Sequence, residues 1–131
     1  MKILIYVYAL LALAALDAIW LFSTGAQYKK WLGHLFADKV NFVPAVIFYL
    51  IYTFGVVFFV VWPAIKGGAS IPAVLLSGAL FGLVAYATYD LTNHATMKDW
   101  PIVVTVLDMA WGAILTGAAS VAAVVIHRYF N

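Results

Sequence analysis

Residues 42–92 read FVPAVIFYLIYTFGVVFFVVWPAI, then KGGAS, then IPAVLLSGALFGLVAYATYDLT. Both outer runs exceed the roughly 20 apolar residues that carry a helix across the hydrocarbon of a bilayer. Between them lies only the hinge Lys66-Gly67-Gly68-Ala69-Ser70. A glycine turn that short forces the two helices to be antiparallel neighbours. Moving outward, the stretches 3–22 and 101–126 are equally long and apolar, so four spans are predicted at 3–22, 42–65, 71–92 and 101–126. The expected fold is all-α and integral to the membrane, an antiparallel bundle of four transmembrane helices forming one domain over residues 1–131.

Composition excludes most alternatives. The chain is 67% hydrophobic and 9% charged, against about 25% charged in soluble domains, so a water-soluble fold of this size has nowhere to hide its apolar surface. No cysteine is present, which removes disulfides, thiolate catalysis and cysteine-held metals. The net charge of +2 comes from scattered flanking cations rather than a basic stripe, so nucleic acid is not an expected partner. Met1-Lys2 followed by an apolar run looks like a secretion signal, but the run continues to Phe22 and contains Asp17 and Trp20. It is read as a retained first span.

Four spans put both termini on one side of the membrane, here side A, which also holds the 66–70 turn. Side B holds the loops on either side of the central hairpin. Lys2, Lys66 and Arg128 lie at side A and Lys29, Lys30, Lys39 and Lys98 at side B, a near tie under the positive-inside rule. The charges that tightly flank the spans favour a cytoplasmic side A, with dual insertion as an antiparallel dimer the alternative. In the first loop, Tyr28, Trp31, Leu32, Leu35 and Phe36 recur at helical spacing. That pattern predicts a short interfacial helix between spans one and two, a membrane anchor first and a lid over side B second. Asp99 is placed to cap the fourth helix, with Pro101 in its first turn. Gly78, Gly82, Gly112 and Thr116 have the small side chains that let membrane helices approach closely.

The chemistry lies in three intramembrane carboxylates, Asp17, Asp90 and Asp108. A carboxylate at the centre of a membrane helix costs about 2.5–3.5 kcal/mol on insertion scales and marks a functional site by default. Each lies near the side-B end of its span, and Asp17-x-x-Trp20 and Asp108-x-x-Trp111 repeat one local pattern on helices running in opposite directions. Indole and carboxylate share a face at that spacing. The third span presents Tyr86, Asp90, Asn93 and His94 along one face, with Tyr89 beside them, and Asn41, Tyr49 and Trp100 are placed to border the same space. The candidate site therefore comprises Asp17, Asp90 and Asp108 as proton-transfer groups and Trp20, Tyr49, Tyr86, Tyr89, Asn93, His94, Trp100 and Trp111 as ligand-binding residues. The plain alternative is that these groups only bond one another and fix helix register, and for His94 a capping role in the loop is favoured. No pair of them has metal-ligand spacing, and His34 and His127 lie at opposite sides, so no metal, haem or other cofactor is expected.

These residues also carry a resemblance. Leu16-Asp17-x-x-Trp20-Leu21, Phe48-Tyr49-x-x-Tyr52-x-x-Gly55 with Pro63, Gly78-Ala79-Leu80-Phe81-Gly82, the run Tyr86-Ala87-Thr88-Tyr89-Asp90-Leu91-Thr92-Asn93, Trp100-Pro101 and Asp108-x-x-Trp111-Gly112 resemble DUF2177, a family of small four-span bacterial membrane proteins. The likeness implies a four-span fold and a place in a bacterial inner membrane. It supplies no reaction and no residue roles.

Three functions follow as expectations. The first is a polar and aromatic pocket near one membrane face that binds or modifies a lipid-like or lipophilic small molecule, with Asp17 and Asp108 as acid and base. The second is a small proton-coupled transporter or channel, disfavoured because transporter sites lie nearer the midplane. The third is a non-catalytic accessory subunit. Membrane lipids, a homo-oligomer or a larger membrane complex are the partners these readings admit.

Overall fold

The computed structural model describes residues 2–131, and among them every element is helical. Four helices are long and apolar enough to span a membrane, Lys2–Leu35, Phe42–Gly67, Ile71–Thr96 and Ile102–Phe130. The chain is thus an all-α integral membrane bundle.

The first helix departs from expectation. It runs unbroken from Lys2 to Leu32, about 46 Å at 1.5 Å per residue, well beyond the roughly 30 Å hydrocarbon core. The separate interfacial helix expected between spans one and two is not there. Tyr28, Trp31 and Leu32 form the last turns of the first helix, and a single 3-10 turn, Gly33–Leu35, follows. The reason is local. Nothing between Phe22 and Leu32 breaks a helix: Thr24 turns its hydroxyl onto the Trp20 carbonyl at 2.7 Å, the bond threonine makes inside helices, and a lone glycine at Gly25 costs only about 1 kcal/mol.

The second helix starts at Asn41, whose side chain accepts from the Val43 N–H at 3.2 Å. Asn41 therefore caps the helix rather than bordering the site. Over Val57–Val61 the coil widens to a π turn before the α-helix resumes at Trp62. Pro63 explains it, because proline has no N–H to donate and its ring crowds the carbonyl four residues back, a conflict that a wide turn relieves. The hinge closes at Gly68 in the left-handed region, φ 63°, with the Ala69 N–H reaching the Ala64 carbonyl at 3.0 Å. Ser70 then caps the third helix through Ala73 N–H at 3.3 Å. Asp99 does not cap the fourth helix. That helix begins at Ile102 without a side-chain cap, and Asp99 itself has φ 58°, a conformation that aspartate tolerates better than most residues.

The third and fourth helices pack most closely. A methyl group on Gly82 would overlap the Gly112 carbonyl, and one on Gly78 would lie 2.8 Å from the Thr116 carbonyl oxygen and 2.9 Å from the Gly117 Cα. Backbones this near gain dispersion contacts that larger side chains would forbid. The fourth helix is the axis of the bundle, burying Val104, Gly112, Leu115, Thr116, Ala119, Ser120, Ala123 and Val124. Toward side A the core is inaccessible and mostly apolar: Ile5, Ala9 and Leu13 meet Val56, Val61, Val74, Leu115, Ala119, Ala123 and Val124, with Thr53, Thr116 and Ser120 buried among them. Phe22, Phe54, Phe59, Leu76 and Ile114 are exposed, facing where lipid lies. At side B a smaller cluster of Leu32, Trp100 and Val104, with Tyr28 and Trp31, fastens the long first helix to the start of the fourth.

Candidate functional site

Above the side-A core the helices part. A half-open cavity of about 500 Å³ lies between them, lined from all four. The first helix contributes Asp17, Trp20, Leu21, Gly25, Tyr28 and Leu32, a single face at three- and four-residue steps, and Phe36 lies beyond it. Phe48 and Tyr52 come from the second helix, Ala85, Tyr86, Tyr89 and Asp90 from the third, and Asp108 and Trp111 from the fourth.

The three carboxylates meet here in unequal surroundings. Asp17 is held on both oxygens: Trp111 Nε1 donates to Oδ1 at 3.0 Å, and the Tyr49 hydroxyl donates to Oδ2. Asp108 Oδ1 accepts from the Tyr28 hydroxyl. Asp90 is wholly inaccessible to solvent, and neither of its oxygens has a hydrogen-bond partner. Its carboxyl sits against that of Asp108. Buried polar groups are nearly always bonded, so an unbonded carboxyl shut away in a cavity wall is the exception that needs a reason.

Aromatic rings wall the cavity. Trp20 and Trp111 stack with centroids 4.6 Å apart and planes at 6°, and Tyr28 meets the edge of Trp20 at 6.3 Å. Below them Tyr52 contacts Tyr86 at 6.5 Å and shares a hydrogen bond with Thr116 Oγ1 at 2.7 Å. The two Asp-x-x-Trp motifs do face each other across the bundle. Their bonding is not symmetric, however, because Asp17 receives the indole N–H of the opposite helix while Asp108 receives a phenol.

Of the residues singled out by sequence, Asp17, Trp20, Tyr86, Tyr89, Asp90, Asp108 and Trp111 line one cavity, and Tyr49 joins them through Asp17. Asn93, His94 and Trp100 do not line it. His94 Nδ1 lies 3.2 Å from Thr105 Oγ1, which also accepts from Trp100 Nε1 at 3.0 Å. His94 is not in the loop as expected but in the last turns of the third helix, which runs to Thr96; with Trp100 from the loop it ties the side-B end to the fourth helix, next to Tyr89, whose ring meets Trp100 edge-on at 6.0 Å. The sequence reading passed over Tyr28 and Tyr52. Had the first helix been read as continuous past Phe22, Tyr28 would have fallen on the face of Asp17, Leu21 and Gly25. Tyr52 lies one turn from Tyr49. No group of three histidine or acidic side chains among the described residues converges closely enough to hold a metal ion.

With this geometry in view, the chain belongs to the family described as "Predicted membrane protein (DUF2177)", whose profile matches residues 2–125. No curated protein and no solved structure matches it.

Proposed function

We propose that this member of the family binds a lipophilic, amphipathic small molecule in the side-B cavity, its apolar part against the aromatic wall and its polar head among Asp17, Asp90 and Asp108. The observation that carries this reading is the meeting of Asp17, Asp90 and Asp108 in the wall of an otherwise aromatic and aliphatic cavity of about 500 Å³. That volume is typical of small-molecule sites, which pair a largely apolar lining with a few convergent polar groups. A purely structural polar cluster would satisfy its own members, as Asp17 does. Modification of the bound molecule is the extension of this reading: Asp90 and Asp108, two adjoining carboxyls, have the arrangement that passes a proton to and from a ligand. The site's place in a bacterial inner membrane belongs to the same proposal.

A transport reading needs a polar route onward to side A. Beneath the cavity Leu13, Val56, Leu115, Ala119, Ala123 and Val124 are all at most 2% exposed, and the polar Thr53, Thr116 and Ser120 among them are equally sealed, so the close packing favours a dead-end pocket. An accessory role would leave the free carboxyl without a purpose.

Native mass spectrometry of the gently extracted protein tests the proposal. A specific adduct is expected on the wild type and is lost in Asp17→Asn/Asp108→Asn and in Gly25→Trp. Gly25 lines the cavity, and a Cβ there meets nothing within 4 Å, so a tryptophan has room to enter the pocket while every carboxylate stays in the sequence. Absence of any adduct, or one that Gly25→Trp leaves in place, overturns it.

A further inference from the structure

We propose that the polar head of the ligand is an organic cation, a protonated or quaternary amine carried on an apolar tail. This rests on the pocket reading above and adds the charge of the ligand to it.

The charge inventory of the cavity is one-sided. Three aspartates line it, and no lysine, arginine or histidine does among the described residues. The side-B lysines, Lys29, Lys30, Lys39 and Lys98, stand outside the lining. An anionic head would meet only like charge, which costs several kcal/mol at close range.

The neighbouring surfaces fit a cation as well. Trp20, Tyr28, Tyr86, Tyr89 and Trp111 turn rings toward the space in which the carboxyls lie, and a cation held over such faces gains from their quadrupoles, most over tryptophan and more when water is excluded. Aromatic cages of this kind are the usual receptors of substituted ammonium groups. Of the donors near the carboxylates, the Tyr28 and Tyr49 hydroxyls and the Trp111 N–H already point at them. Acceptor oxygen and ring face stand side by side in the lining, and a cation uses both. A bare metal ion is the poorer occupant, since among the described residues no three histidine or acidic side chains come close enough together to hold one and the rest of the lining is ring and aliphatic carbon. Asp108, which lines the cavity and keeps one oxygen free of hydrogen bonds, is then the counter-ion, with the buried Asp90 carboxyl beside it.

The test uses the full chain in uncharged maltoside micelles, with equilibrium dialysis of two probes of equal tail length, dodecyltrimethylammonium and dodecanol, against protein-free micelles. The expected result is about tenfold or greater preference for the ammonium probe. Asp90→Asn and, separately, Asp108→Asn should abolish that preference while dodecanol binding and the helical circular dichroism stay unchanged. Gly25→Trp should exclude both probes. Equal retention of the two probes, or a preference that survives both asparagine variants, overturns the inference. If Gly25→Trp still excludes both probes in that case, the pocket reading stands and only the cation is wrong. If Gly25→Trp excludes neither, both fall.

Discussion

The indoles of Trp20 and Trp111 lie 4.6 Å apart and within 6° of parallel, although they come from the first and fourth helices, which run in opposite directions. The stack joins the two Asp-x-x-Trp motifs, and through Trp111 Nε1 it fixes Asp17 at 3.0 Å.

Two indoles that close couple their electronic transitions. An exciton couplet in the circular dichroism is therefore expected, lost in Trp20→Phe and equally in Trp111→Phe, and kept when Trp31, Trp62 or Trp100 is replaced. A couplet unchanged by either of the first two substitutions would contradict the stack.

Tyr28 donates to Asp108 across 80 positions of sequence and anchors the overlong first helix to the fourth. A double-mutant cycle with Tyr28→Phe and Asp108→Asn should give a coupling of about 0.6–1.7 kcal/mol, the range of side-chain hydrogen bonds between membrane helices. The same cycle with Tyr6→Phe in place of Tyr28→Phe should give none, because the Tyr6 hydroxyl donates to the Leu50 carbonyl and not to Asp108. Unfolding titrations in mixed detergent micelles measure both.

Gly82 and Gly25 predict opposite signs for the same change. Gly82→Ala drives a methyl into the Gly112 carbonyl and is expected to cost about 1–3 kcal/mol as the third and fourth helices are forced apart. Gly25→Ala meets open space and should stabilise by up to about 1 kcal/mol through helix propensity alone. Equal effects in the same titration would refute the close approach.

At the hinge, Gly68 holds φ 63°. Gly68→Ala places a Cβ in the left-handed region and should cost about 1–2 kcal/mol, with Gly67→Ala, where φ is not positive, as the milder control. Thermal unfolding of the two variants side by side checks the difference.

Much of the molecule was legible in the residues. The helix class followed from the length of the apolar runs, the central hairpin from Gly67-Gly68, and the close helix pair from Gly78, Gly82 and Gly112. Asp17, Asp90 and Asp108 stood out because a carboxylate among lipophilic neighbours is costly to keep without a purpose. The end of the first helix was misread. The apolar run ends at Phe22, but loss of hydrophobicity ends a span, not a helix, and the backbone hydrogen bonds continue to Leu32.

The sequence alone determined that this chain crosses a membrane four times and carries its acids near one face, because hydrophobic length and the cost of a buried charge are properties of single segments. Only the tertiary structure decided which acid is satisfied and which is free. Asp17 found Trp111 and Tyr49, Asp108 found Tyr28, and Asp90 was left with its neighbour carboxyl. Those partners come from other helices, tens of residues away, and their meeting depends on helix rotation and crossing, set by the glycine contacts of the third and fourth helices and by the continuous first helix. No local pattern encodes that rotation; it is fixed by how closely the backbones can approach.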